Sequence, residues 1–218
     1  MVSTSDIYNM FRRIVSEHYR IPRPDEIHVH EIVQCMRKSY YERKYGSSDY
    51  NHLSDKKCVI LGLGLLTHEK LEELFSQMFN AKCEKTYERE VKVNGLTFKV
   101  IGTVDVIYDH TLIDLKTVNK IPDEPYDHHY LQLQMYMWLT GLHEAYIVYI
   151  CKRDGTVKIY QVIRSDKVIK QLMERLHYYA TCVSSDIVPK AEHSYLCKYC
   201  EYSLECNLSD IKELKKRR

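Results

Sequence analysis

Apolar residues recur at helical spacing over residues 3–19 and 31–46, with Ser and Asp near the first start and Gly46 closing the second. Both stretches therefore predict helices. Between them "IPRPDE" is a Pro-punctuated connector, and "GSSDYNHLSDKK", residues 46–57, carries turn residues and little to bury, which predicts a mobile loop. A helix follows over about 60–80, with Leu61, Leu65, Leu71 and Phe75 near one stripe. The period then changes to two. Strands are predicted at about 84–93 and 96–108, joined by Asn94-Gly95, a strong hairpin signal, and a third strand at 111–117. After the loop "NKIPDEP", residues 127–141 form a helix ending at Gly141, strands at 145–152 and 156–164 flank "RDG", and a long helix over about 166–184 leads into a cysteine-rich tail. This order predicts an α/β (α+β) sandwich, a mixed sheet with helices packed against it.

At 218 residues the chain is long enough for one well-packed core with an appended small element, and it is read as a single domain. Its 44% apolar and 28% charged residues fit a globular protein, without low-complexity tracts or repeats. A net charge of +2 does not by itself announce a nucleic-acid binder, although 32 Lys and Arg can still cluster on one face. The start "MVSTSDIYNMFRRIV" lacks an apolar leader core, and no run approaches the roughly 18 apolar residues that span a bilayer. The expected location is the cytoplasm, with no membrane partner. In that reducing compartment eight cysteines are not expected to form structural disulfides, so those that cluster point to metal ligation. Cys58, Cys83, Cys151 and Cys182 stand singly in apolar surroundings and are expected as small core residues.

The chemistry concentrates in "GTVDVIYDHTLIDLKT", residues 102–117. With residues 109 and 110 as the centre of a hairpin turn, Tyr108 faces Thr111 and Asp105 falls opposite Asp114. Two carboxylates so paired repel unless a positive charge sits with them. The strand period puts Lys116 on the face of Asp114 and leaves the carbonyl of Leu115 near the cluster. Two acids and a main-chain oxygen make an open site suited to Mg²⁺ or Mn²⁺. The same residues would also serve as solvent-facing acids with a salt-bridging lysine, so this motif alone leaves both readings open. His68, on the apolar stripe of its helix, is either a core histidine or a nitrogen ligand, which would tilt preference towards Mn²⁺. Gln132 and Tyr136 share a helix face, able to reach the same cleft, while Gln134 lies off it.

In "CKYCEYSLEC", Cys197, Cys200 and Cys206 have chelating spacing, and Cys35 in "EIVQCMRKSYY" is the candidate fourth ligand. Such a set would staple the two ends of the chain. Zinc and an iron-sulfur cluster both accept four cysteines, and spacing leaves them open.

In order along the chain, Cys35, His68, Gly102 to Asp105, Asp114 to Lys116, Gln132 to Tyr136, then Cys197, Cys200 and Cys206 resemble the CRISPR-associated RecB-like exonuclease family, the fourth Cas family. The resemblance runs from residue 35 to 206. It implies a restriction-endonuclease-like core of the PD-(D/E)XK class over 60–184, an N-terminal helical segment over 1–50 with the first cluster cysteine, and a C-terminal cluster segment over 185–218. It implies a 4Fe-4S cluster on Cys35, Cys197, Cys200 and Cys206, and one Mn²⁺ or Mg²⁺ on His68, Asp105, Asp114 and the carbonyl of Leu115. Asp105, Asp114, Lys116, Gln132 and Tyr136 then form the catalytic set. Its implied activity is that of a DNA exonuclease acting on single strands or single-stranded ends, trimming prespacers for the CRISPR integrase in antiviral defence. Val104 stands where the class name has Pro, and Asp114 is the shorter of the two acids allowed at its position. A viral or recombination exonuclease outside CRISPR, and a DNA-binding module with an inactive core, stay open. There is no G-x-x-x-x-G-K-[ST] motor motif. The tail "KELKKRR" could track a phosphate backbone, and some of the 19 tyrosines could stack on bases.

Overall fold

A computed structural model describes residues 3–18, 22–45 and 53–206. The chain order is α1 (Thr4–Glu17), β1 (Glu26–His28), α2 (Val29–Val33), α3 (Met36–Tyr45), α4 (Asp55–Phe79), β2 (Lys82–Val93), β3 (Leu96–Tyr108), β4 (Thr111–Val118), α5 (Asp127–Thr140), β5 (Glu144–Cys151), β6 (Val157–Ile163) and α6 (Asp166–Ser184). Six strands form one mixed sheet in the order β1-β3-β4-β5-β6, with β2 also on β3. The α/β sandwich expected from the pattern is therefore what forms. Among the described residues, no helix is long and apolar enough to cross a membrane.

Both hairpins turn where the residue types allow positive φ. Asn94 and Gly95 have φ of 50° and 81°, and Asp109 and His110 have 45° and 61°. Two positive values in succession make the turn that matches strand twist, so the register follows from the turn. Tyr108 faces Thr111, and the ladder continues through Val106↔Ile113, where it ends. The next pair would be Asp105 and Asp114.

The two edges of β3 explain what happens there. One edge is taken by β2 from Leu96 to Ile107. The other is taken by β1 over Lys99–Ile101 and by β4 over Val106–Tyr108. Residues 102–105, the G-x-x-D stretch, thus lie on an edge between two partner strands. The pleat also slips there: Val104 belongs to the large core shared with α5, whereas Val106 belongs to the smaller core with Leu71 and Phe75 of α4. Strict alternation would put both on one face, so Asp105 sits at a change of phase.

Helix α5 lies close over this gap. A Cβ on Gly102 would stand 2.8 Å from side-chain carbons of both Leu139 and Tyr136. Gly102→Ala is expected to cost about 1–3 kcal/mol through overpacking, read as a lowered Tm, because both neighbours are buried in the core.

The pattern misplaced several boundaries. Residues 31–46 are two helices, α2 and α3, broken at Gln34 and Cys35. Arg175 of α6 donates to the carbonyls of Ile32 and Gln34 at 3.0 and 3.1 Å and pairs with Glu192, whose carboxylate accepts the N–H of Met36 at 3.0 Å. The clamp is long-range and invisible to local periodicity. Strand β1 has no counterpart among the predicted elements, and only its first residue, Glu26, falls in the connector. Helix α4 starts at Asp55, capped by Ser54, and Leu53 is buried, so the end of the expected mobile loop is ordered; residues 46–52 and the basic tail 212–218 lie outside the described residues. Leu61 is exposed, because α4 turns Gly62 against Phe11 of α1. Cys58, Cys151 and Cys182 are buried as expected, while Cys83 is half-buried.

Candidate nuclease site

Asp105, Asp114 and Lys116 meet where β3 and β4 part. Instead of a ladder partner, the N–H of Leu115 donates to Oδ2 of Asp105 at 2.8 Å. Asp114 is buried at 1% exposure, with Lys116 Nζ donating to its Oδ1 at 2.8 Å. Its second oxygen, Oδ2, is buried with no hydrogen-bond partner among the described residues. Burial pushes the Asp114 carboxyl up to about 7, with Lys116 pulling it back and Asp105 adding to the rise. For Lys116 burial opposes the charge, but the Asp114 and Asp105 carboxylates outweigh it and hold the ammonium well above its ordinary range.

Helix α4 delivers His68 from the other side, its Nδ1 3.7 Å from Oδ2 of Asp105. Burial lowers its pKa, so the imidazole is kept neutral and able to act as a ligand. One turn further on, the same face carries Glu72, which sequence reasoning missed. Helix α4 carries several glutamates, and the four-residue spacing from His68 is the signal that singles out Glu72. Ligand atoms of His68, Glu72 and Asp105 all lie within 4.8 Å of one another. Burial, then Glu84 and Asp105, push the Glu72 carboxyl up to about 8.

On α5 the amide nitrogen of Gln132 donates to Tyr136 Oη at 2.7 Å. Burial, then the Asp114 charge, raise the Tyr136 phenol, which stays protonated beside the acids. Gln134 faces elsewhere: it accepts from the N–H of Ser165 at 2.8 Å and donates to the carbonyl of Ile163 at 2.9 Å, tying α5 to the end of β6. The structure thus brings together His68, Asp105, Asp114, Lys116, Gln132 and Tyr136.

The donor set suits a hard divalent cation. Two carboxylates, a neutral imidazole and a buried carboxylate oxygen without a partner are costly together unless something positive binds them. Oxygen donors with one nitrogen match Mg²⁺ or Mn²⁺.

The cysteines converge separately. Cys35, Cys197, Cys200 and Cys206 line one cavity of about 630 Å³, together with Arg37 and Lys38. The break between α2 and α3 frees Cys35 from a helix interior. Arg37 donates from Nη1 to Sγ of Cys206 at 3.7 Å, and the N–H of Ser194 to Sγ of Cys197 at 3.3 Å. Burial, and to a smaller degree the neighbouring Cys35, raise the Cys200 thiol, while Lys38 opposes the rise. Four thiols bordering one cavity with cations beside them fit a four-cysteine metal or cluster site, which favours the thiolate form as ligand.

Comparison with known proteins agrees with this architecture. Residues 9–207 match the PD-(D/E)XK nuclease superfamily. The CRISPR-associated exonuclease Cas4 of Saccharolobus solfataricus is 24% identical over 204 residues, covering 90% of this chain and 95% of that protein. The crystal structure of SSO0001 superimposes with a TM-score of 0.73 at 25% identity, over 94% of this chain and 97% of that one. An alkaline exonuclease from Laribacter hongkongensis shares the fold, with a TM-score of 0.53 at 14% identity over 75% of this chain and 90% of its own.

Proposed function

Because the chain belongs to the PD-(D/E)XK nuclease superfamily, we propose that it is a divalent-metal-dependent DNA exonuclease with a 4Fe-4S cluster on Cys35, Cys197, Cys200 and Cys206. The observation that carries this reading is the meeting of Asp105, Asp114 and Lys116 at the end of the β3–β4 ladder, with the unpartnered Oδ2 of Asp114 among them. Mn²⁺ or Mg²⁺ would be held by His68, Asp105, Asp114 and the carbonyl of Leu115. A cation bound there supplies an activated water and a counter-charge for the scissile phosphate.

The chain's own residues supply the rest. Lys116, kept charged by Asp114, orients the nucleophile and offsets the negative charge that builds on the phosphoryl group in the in-line transition state. Tyr136 stays protonated and, oriented by Gln132, offers a hydroxyl to the same charge. Asp105 couples the site to the backbone through Leu115.

Similarity to the Cas4 exonuclease over nearly the whole of both chains supports a substrate of single-stranded DNA or single-stranded ends. It also supports a place in CRISPR adaptation, preparing prespacers with the integrase as partner. The four-cysteine cavity supports the cluster, and the family resemblance favours iron-sulfur over zinc.

Oligonucleotides labelled at the 5′ or 3′ end, single- or double-stranded, test the activity with Mn²⁺, Mg²⁺ or EDTA. The expected result is stepwise nucleotide release that needs the divalent ion. DNA binding without cleavage under every condition would make the chain a binding module with an inactive core.

A further inference from the structure

We infer that Glu72 is itself a ligand of the divalent cation, so that the ion is seated on the α4 side of the site by His68, Glu72 and Asp105. The inference rests on the nuclease reading and deepens it. Two independent observations carry it. The ligand atoms of His68, Glu72 and Asp105 lie within 4.8 Å of one another, close enough to surround one small ion. Glu72 is also only 4% exposed, and its Oε1 is buried without a hydrogen-bond partner among the described residues.

The surroundings explain why that oxygen is left free. The positive side chain of the site, Lys116, is engaged by Asp114 at 2.8 Å. Glu84 shares a hydrogen bond with the Glu72 carboxyl but offers it no counter-charge: Cys83↔Val106 and Lys85↔Val104 place Glu84 directly across from Asp105 on β2. Three carboxylates from α4, β2 and β3 therefore converge where like charges repel, and an ion on Glu72 and Asp105 offsets that repulsion. The spacing is also built into the helix, since residues four apart share a face and His68 and Glu72 reach the same point from successive turns. Glu72 then differs in role from Asp114, whose Oδ1 is committed to Lys116 and whose Oδ2 would be the oxygen available to a cation from the β4 side.

Mn²⁺ titration of the metal-stripped chain, followed by the loss of free-ion EPR signal and by Tm, tests this without turnover. Glu72→Gln is expected to weaken Mn²⁺ binding by at least about tenfold and to shrink the Mn²⁺-induced rise in Tm, while the metal-free Tm stays at or above that of wild type. A Kd within twofold of wild type would overturn the inference. So would a lowered metal-free Tm with an undiminished Mn²⁺ response, which marks a purely structural glutamate. Should Glu72→Gln not fold, Glu72→Asp keeps the charge and shortens the reach by one methylene, and an unchanged Kd there would count against the inference equally. Asp105→Asn separates the two levels. If it also binds Mn²⁺ as wild type does, or wild type binds none, the nuclease reading itself fails; if only Glu72→Gln is silent, the inference alone fails.

Discussion

Asp114→Asn is expected to lower DNA degradation by at least about 10³-fold, with the fold and any cluster absorbance intact. The amide keeps the volume and can still accept from Lys116, so the 2.8 Å contact does not by itself collapse. What is lost is the negative charge of a fully buried carboxylate whose second oxygen has no partner among the described residues. That charge has two uses. It holds Lys116 in its charged form inside the protein, and it offers an oxygen to a divalent ion. Asp114→Ala is a harsher change, because it strands the Lys116 ammonium; breaking such a pair from one side costs about 3–5 kcal/mol. Lys116→Ala is expected to lose about 10²- to 10³-fold in nucleotide release, since the developing phosphoryl charge then lacks the ammonium held beside Asp114. Release is read from end-labelled single strands and near-UV dichroism reads the fold. Activity of Asp114→Asn within tenfold of wild type would remove the site from the β3–β4 junction.

The legibility of this site from sequence depends on how local each feature is. The turn at Asp109 and His110 fixed the pairing of Val106 with Ile113, because two adjacent residues with positive φ admit one register. The ending of the ladder at the acids was not readable, since it depends on β1 taking the same edge of β3 from a distant segment. Three-residue strands such as β1 carry almost no pattern of their own. The break at Gln34 and Cys35 is imposed by Arg175 and Glu192, far along the chain, and so escaped a reading by periodicity. Glu72 was missed for the opposite reason. Its position on the helix was legible, but a glutamate on a charged helix is ordinarily solvated, and only the approach of β2 and β3 buries it. Gln134 was rightly set apart from Gln132, because the helical period separates them wherever the helix docks.

Cys197→Ala is expected to bleach absorbance near about 400 nm and to lower Tm by about 10 °C or more. The physical reason lies in chain connectivity. Cys35 and the C-terminal cysteines border the same cavity although they belong to opposite ends of the described chain, so a cluster between them closes a very long loop. Closing a loop of order 100 residues stabilises by about 5 kcal/mol in the chain-entropy account. Other contacts also reach the segment: Arg37 donates to the carbonyl of Pro189 at 2.7 Å, Lys57 pairs with Glu201 at 2.7 Å, and Glu192 braces Arg175 and Met36. These are mostly half-exposed polar contacts, each worth about 1 kcal/mol, so they guide the segment into place more than they hold it. Loss of the cluster should therefore loosen residues 189–206 first, detectable as protease sensitivity there while the sheet stays protected. A colourless wild-type protein with stoichiometric zinc would reverse the cluster assignment and leave the stapling argument intact. Cys197→Ala with unchanged colour and unchanged Tm would refute both, because it would mean that Cys197 ligates nothing.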